Sequence, residues 1–549
     1  MEHCFIGLDY GSLSARGVLA DRQGRILAEA EFPYPHGVMM GTLPDGTPLQ
    51  GEFCLQHPGD YTDALFSIIP ALLQKSGVKK ERIAGLGVDF TTSTVLPVDA
   101  SFRPLCLLPE WEKRPHAWVK MWKHQGAHAQ AKRLNDVCRA QNSPWLSRYG
   151  GAVNAQCLMA KVMQVFDEDQ ELYENAHCFL EAGDYITSLL TGAPAFSLSL
   201  AAAKAFLQEN YPDESFFSAL HPALKNLPRE KLMDRFPEAK KGFPGESVGL
   251  LCWEMAEKLG LCPGISVSAA QMDSYAPVAG VGITEPGTML MVMGTSTGIL
   301  LLGEKETPVE GVTACLKNTL YPGLYAYGSG QSSVGDAFQW FVDQCVPEKY
   351  HQAAKEKGLS LHGYLTELAA PLAPGETGLI ALDWLGGNRS CLANSRLSGM
   401  LLGLTLKTKP EHIYRALQEA TAFGARVIVE AYEKAGVPVR EIVICGGIAV
   451  KNPFLMQLYA DILGRPLKVS RCAQAPALGA AIYAAAAAGK EKGFPDLFSA
   501  VRAMSAGDFL SYVPAPARHE AYAPLYREYL RLHDYFGRGG NQVMERIRG

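Results

Sequence analysis

Phe5-Ile6-Gly7-Leu8-Asp9-Tyr10-Gly11-Ser12-Leu13-Ser14-Ala15-Arg16 is the stretch on which the fold turns. The apolar run Phe5 to Leu8 enters a polar turn, Asp9-Tyr10-Gly11-Ser12. The pattern predicts a second strand from Ala15 to Ala20, a turn at Asp21-Arg22-Gln23-Gly24 and a third strand from Arg25 to Glu31. Three short antiparallel strands make a β-meander. Pro58-Gly59-Asp60 then opens a helix, with Asp60 as the expected N-cap. Tyr61, Ala64, Leu65, Ile68, Ile69, Leu72 and Leu73 share one helical face, and Gly77 ends it. Ile83 to Val88 reads as a buried strand running into Asp89-Phe90-Thr91-Thr92. Meander, helix and strand together indicate an α/β domain.

The same plan recurs in the second half. Thr288 to Val292 is strand-like, Met293-Gly294-Thr295-Ser296-Thr297-Gly298 is a turn, and Ile299 to Leu302 is a strand. A helix is expected from about His412 to Ala435, after Pro410 and before Gly436. Glu441 to Cys445 follows as a strand ending in Gly446-Gly447. The expectation is a duplicated α/β protein, with domains at 1–282 and 283–549 and a cleft between them lined by one glycine turn from each. Two unrelated α/β domains are the alternative.

A chain of 549 residues, 48% hydrophobic and 19% charged, suffices for two cores. A formal net charge of −5, with no Lys/Arg run longer than two, argues against a nucleic-acid partner. No apolar stretch is long enough for a membrane span; the longest candidate, Ala477 to Gly489, is alanine-rich and short. Met1 runs directly into the first strand, without the basic start and cleavage site of a signal peptide. The 13 cysteines are dispersed and form no Cys-x-x-Cys, as expected of free thiols in a reducing, cytoplasmic setting.

Three turns offer phosphate-binding chemistry. In the first, Gly11 lets backbone approach an anion, Ser12 and Ser14 can donate hydroxyls, and Arg16 can neutralise charge. Asp9 could hold Mg²⁺ through water. Gly294-Thr295-Ser296-Thr297-Gly298 is the second. Gly446-Gly447, with Asn452 close behind, is the third. Each by itself also fits an ordinary turn. Other nucleotide motifs are missing: Gly489-Lys490 is followed by Glu491, and Gly280-Val281-Gly282 lacks a third glycine. His124 and His128 have zinc-helix spacing, but Gln125 stands where a metalloprotease needs Glu, so both are expected to be surface or core residues.

Together the three turns resemble the nucleotide-binding segments of FGGY carbohydrate kinases, which share the actin/hexokinase/Hsp70 fold. The motifs are most similar to those of the ribulokinases: Gly87-Val88-Asp89-Phe90-Thr91, Trp122-Lys123-His124, Tyr149-Gly150-Gly151, Glu181-Ala182-Gly183-Asp184-Tyr185, Gly330-Gln331-Ser332, Leu382-Asp383-Trp384 and Gly387-Asn388-Arg389. The resemblance implies ATP-dependent phosphorylation of a ketopentose or related sugar, with Mg²⁺. It implies that Asp273 is the catalytic base, that Lys204 contacts sugar, that Trp122 packs on it and that backbone at Thr92 lies against it. Gly11, Ser12, Ser14, Arg16, Gly294, Thr295 and Ser296 would face phosphate, Gly446, Gly447 and Asn452 adenosine, and Asp9 the metal. A homodimer is compatible with it.

The chain departs from the pattern on the sugar side. Gly328 stands where ribulokinases carry a sugar-binding Glu. Asn154-Ala155-Gln156-Cys157 replaces Ser-Ser-Glu-Trp, and Ser197-Leu198-Ser199-Leu200 replaces an Arg- and Cys-containing stretch. D-ribulose, xylulose or a sugar alcohol are therefore alternatives to L-ribulose. A non-catalytic sugar sensor on the same fold is the alternative class. The presence of Asp273 and the lack of a DNA-binding helix pair weigh against it.

Overall fold

The computed structural model describes residues 2–548. The chain forms two compact units. The first comprises the residues up to Thr284, Leu316–Tyr325 and Gln474–Gly507; the second comprises Glu285–Cys315, Ala326–Ala473 and the residues from Asp508 onward. The first unit is thus made of three separate segments, the chain returning to it twice after Thr284.

The first unit is built on the opening meander. Strands β1 (Cys4–Tyr10), β2 (Ser14–Asp21) and β3 (Ile26–Pro33) pair antiparallel in sequence order. Helix α1 (Pro58–Ser76) crosses to β4 (Ile83–Phe90), which pairs parallel with β1. Helix α2 (Leu198–Lys204) comes later. Strands β5 (Ser247–Leu250) and β6 (Ser266–Ser268) complete the sheet, and β7 (Gln271–Met272) pairs with the end of β4. Every residue of β1 and β4 is buried. The helix Ala475–Ala487 covers one face of these strands. Alanines 477, 480, 481 and 484 form its contact stripe, and Gly7, Gly85 and Gly87 form the matching trough. A Cβ on Gly7 would lie 1.9 Å from the Ala477 carbonyl oxygen, and one on Gly87 2.0 Å from that of Ala480.

Helix α3 (Ala276–Gly280) packs on the same alanine helix through Gly280 and Gly479. The second unit repeats the plan. Its sheet contains β8 (Thr288–Met293), β9 (Thr297–Gly303), β10 (Ala314–Lys317) and β11 (Tyr325–Gln331). It continues with β12 (Glu441–Cys445), β13 (Leu467–Ser470) and β14 (Phe509–Tyr512), in the order β10-β11-β9-β8-β12-β13-β14. Helix α4 (Gly335–Cys345) follows β11, α5 (Pro410–Lys434) leads to β12, and α6 (Pro453–Leu463) follows it. In both units a central strand has its meander partner on one side and a parallel strand on the other.

One expectation is corrected. The N-cap of α1 is His57, whose Nδ1 accepts from the Gly59 amide, and not Asp60. Pro58 takes the first helical position, so the cap falls on the residue before it, three positions ahead of Asp60. The buried Asp60 carboxylate instead receives the His36 ring Nδ1 at 2.6 Å and the His36 amide. No helix among the described residues is long and apolar enough to cross a membrane. All 13 cysteines are free.

Candidate active site

In the first unit the parallel register places acidic and polar side chains at the carboxyl ends of adjacent strands, where open α/β sheets bind ligands. Asp9 of β1 lies opposite Asp89 of β4, and Asp89 opposite Gln271 of β7. Asp273 follows β7 directly, its amide donating to the Phe90 carbonyl at 2.9 Å. Three carboxyls thus converge. Asp89 is fully buried, and no amide or hydroxyl reaches either of its oxygens. Burial, reinforced by the charge of Asp9, holds it well above the ordinary carboxylate range. Asp9 is also raised by burial, while a hydrogen bond from Asp89 and the charge of Arg16 oppose the rise. The half-buried Asp273 is pushed up to about 7, first by desolvation and then by the negative charge of Asp9; the Ser274 amide opposes this.

The first polar turn is braced by Trp122 and Gln56. Trp122 Nε1 donates to Ser12 Oγ at 2.9 Å, and Gln56 Nε2 to the Ser12 carbonyl at 2.8 Å. Gly11 donates to the Ser14 carbonyl. Ser14 Oγ and Arg16 Nε both reach Glu31 on the surface, at 2.9 and 3.3 Å.

Thr92 sits in a turn that is fixed on several sides. The Thr91 amide bonds to the Tyr10 carbonyl, and Ser93 adopts a left-handed φ of 61°. The Thr94 amide donates to Glu181 Oε2, and Lys161 Nζ donates to the carbonyls of Ser93 and Met121. Both charged groups are fully buried. Desolvation pushes Glu181 up to about 8 and Lys161 down to about 7, each opposed by the other's charge. The divergent segment touches this turn: Ser93 Oγ donates to the Gln156 carbonyl, and Cys157 Sγ donates to that of Lys204 at the end of α2. His124 is structural, its ring joined to Gln164 and the Cys54 amide, and His128 pairs with Glu52 on the surface.

The second unit gathers the other turns. Val292 of β8 pairs with Cys445 of β12, so Gly294–Ser296 and Gly446-Gly447 leave the sheet at the same edge. The amides of Val334, Gly335 and Asp336 donate to the carbonyls of Thr295, Gly294 and Thr295. Gly446, at φ 110°, lies where a Cβ would meet the Met293 carbonyl oxygen at 2.2 Å. Gly447 has nothing within 4 Å of its Cβ direction, so space is open there. Asn452 caps α6, its Oδ1 accepting from the Leu455 amide at 3.0 Å.

Residues 4–280 match the N-terminal domain of the FGGY family of carbohydrate kinases, and residues 289–488 match its C-terminal domain. The chain belongs to the FGGY carbohydrate kinase family. It is an ATP-dependent sugar kinase. Ribulokinases from Halalkalibacterium halodurans and Geobacillus thermodenitrificans are 46% and 45% identical to it, over 99% of this chain and 96% of theirs. A xylulose kinase from Rhodospirillum rubrum has the same fold, with a TM-score of 0.77 at 24% identity over 97% of this chain and 98% of that one. A Plasmodium falciparum glycerol kinase does so with a TM-score of 0.75 at 16% identity, over 97% and 98%.

Three residues of this FGGY kinase gain a place beside these turns only in the structure: Asp89, Glu181 and Lys161. A carboxylate inside an otherwise apolar strand marks Asp89, since only a functional or paired charge is kept there. Lys161 lies in a helix buried along most of its length and carries the same signal. Glu181 stood in a quoted motif, but nothing local showed that it faces a lysine twenty residues away.

Proposed function

We propose that this FGGY kinase is ribulokinase-like, transferring the γ-phosphoryl group of ATP to a hydroxyl of a ketopentose. The observation that supports it most is Asp273, at a strand end beside Asp9 with its carboxyl tuned to about 7. A base near the working pH is most effective at taking a proton in the transition state. Asp273 orients the sugar hydroxyl and accepts its proton as that oxygen attacks the γ-phosphorus, whose bond to the bridging oxygen breaks to release ADP. Trp122, Lys204 and the backbone at Thr92 position the sugar. Gly11 and Ser12, with Gly294–Ser296, receive the phosphates; Gly446, Gly447 and Asn452 flank adenosine. Such a transfer asks the protein chiefly for positioning and charge stabilisation.

The donor set also suits Mg²⁺. Asp9 and Asp89 present hard carboxylate oxygens side by side, and those of Asp89 have no other donor. These two residues would hold the ion, which when bound neutralises phosphate charge. The free thiols suit a cytoplasmic setting. Measuring ADP release across a panel of pentuloses and polyols tests the reading; no turnover with any ketopentose would reject it.

A second reading, a different FGGY specificity, is favoured by Gly328. Its carbonyl accepts from the amide and hydroxyl of Thr313 at 2.7 and 2.9 Å, and it presents no side chain. A charged hydrogen bond of the kind a carboxylate supplies there contributes about 1.5–3 kcal/mol. L-Ribulose is expected to be weaker by about one to two orders of magnitude in kcat/KM than a preferred substrate, and Gly328→Glu should shift preference back toward it. Wild type already preferring L-ribulose over the whole panel would remove this second reading.

On the nucleotide side, Thr295→Ala and Gly447→Val should each raise KM for ATP by about tenfold, with sugar affinity changed far less. The first loses a hydroxyl donor. The second fills the open space at Gly447. Separate titrations of ATP and sugar check this, and a collapse of sugar affinity alone would show that these turns are misassigned.

A further inference from the structure

Three of the motifs quoted above have no role in the site as described so far: Gly330-Gln331-Ser332, Leu382-Asp383-Trp384 and Gly387-Asn388-Arg389. In the second unit they meet around one small polar cavity, which Tyr529 and His533 of the long helix Pro516–Gly537 also line. Asp383 is one of the lining residues and is buried. Its Oδ2 accepts from Gln331 Nε2 at 2.9 Å and its Oδ1 from the Tyr529 hydroxyl at 3.0 Å. The same Gln331 nitrogen also donates to the Thr421 carbonyl of α5 at 2.8 Å. Glycine at 424 makes the close approach of α5 feasible, since a Cβ there would stand 2.7 Å from Gln331 Nε2 and 2.9 Å from Asp383 Oδ2.

Gln331 ends β11, and the residues that follow it clamp the Gly294–Thr297 turn. Val334, Gly335 and Asp336 supply three consecutive amides to the carbonyls of Gly294 and Thr295. The backbones lie flush: a Cβ on Gly330 would be 2.4 Å from the Thr297 carbonyl oxygen, and one on Gly335 2.6 Å from that of Gly294. Anything that shifts Gln331 therefore shifts the turn. With no side chain at these glycines to yield, the shift cannot be absorbed between them.

We infer that Asp383 is a positioning residue for ATP, which with Tyr529 holds Gln331 and through it the Gly294–Thr295 turn in the geometry that receives phosphate. This rests on the assignment of that turn to the nucleotide. Asp383 touches no substrate; it acts through Gln331. The helix Pro516–Gly537 thereby contributes to nucleotide affinity, although Tyr529 is more than two hundred residues from the turn in sequence.

The test is direct ATP-analogue titration together with the KM values for ATP and sugar. Asp383→Ala should weaken ATP about 3- to 30-fold, the usual range for coupling through a packed network, with KM for sugar within about twofold. Tyr529→Phe, which removes one hydroxyl, should weaken ATP by less. In the Asp383→Ala background it should add nothing, because its partner is gone. Asp383→Asn should recover part of the loss. Its carbonyl still accepts from Tyr529, and Gln331 can present its unpartnered Oε1 to the new amide by turning over. Should Asp383→Ala not fold, the Tyr529→Phe and Asp383→Asn pair carries the test. A lowered Tm with unchanged ATP affinity, or equal loss of ATP and sugar affinity, would overturn the inference. Thr295→Ala separates the two levels. If it weakens ATP and the Asp383 and Tyr529 variants do not, the relay fails by itself; if it too leaves ATP binding unchanged, the turn assignment fails and the relay with it.

Discussion

Asp273→Asn is expected to lower kcat by about 10²- to 10⁴-fold while ATP still binds, the usual effect of removing a general base. The amide keeps the shape of the side chain and can still meet the Ser274 amide through its oxygen, which the carboxylate now does at 2.7 Å. It cannot take a proton. The wild-type pH profile should carry the same signature. With the carboxyl at about 7, kcat/KM should fall as pH drops below that value, because the protonated acid is no base. The variant should lose this limb.

Stability should move the other way. In the unfolded chain the carboxyl titrates near 3.8, and in the native state it is pushed up to about 7. Between these values the native state holds a proton that the unfolded state has released, so stability falls as pH rises through this window. Above it, wild type keeps a charge beside Asp9 that the variant lacks. Asp273→Asn should therefore melt at a higher temperature than wild type at pH 8, with the difference vanishing at pH 4. A variant within about twofold of wild-type kcat would show that another group is the base.

Gly87→Val should be among the most destabilising single substitutions in the first unit. The added Cβ would lie 2.0 Å from the Ala480 carbonyl oxygen and 2.8 Å from the Ala480 carbonyl carbon. Those are backbone atoms of a helix, with no rotamer to change. Overpacking of a rigid core costs about 1–3 kcal/mol and more where nothing can yield, so about 3 kcal/mol or more is expected. The matched control is Gly41→Ala, where nothing lies within 4 Å, and which should change stability by less than about 0.5 kcal/mol. The midpoints of urea unfolding compare them. Activity should fall with Gly87→Val even where the protein remains folded. Gly87 is two residues from Asp89 on the same strand, and Gly7 two residues from Asp9 on its neighbour. Near-wild-type stability would mean that the alanine helix can retreat, and that the close fit is not what holds the sheet.

The local patterns carried a large part of this protein by themselves. The opening meander, α1 with its stop at Gly77, the long helix before β12 and the polar turns after Tyr10, Met293 and Cys445 all lie where alternation, helical periodicity and glycine place them. These features depend on neighbours a few residues apart, so the sequence displays them directly. What only the tertiary structure decided involves partners distant along the chain. Asp89 gains its meaning from the parallel register that sets it beside Asp9, some eighty residues earlier. The alanine-rich run near the C-terminus reads as a merely apolar stretch until Gly7, Gly85 and Gly87 are seen to accept it. Asp60 lost the N-cap of α1 to His57 and took His36 as its partner instead. Gln331, Asp383 and Tyr529 become a connected support for the Gly294–Thr295 turn only once β11, α5 and the helix Pro516–Gly537 have packed. Strand register and helix docking follow from side-chain shapes meeting across the fold, and no short window of residues contains both sides of such a contact.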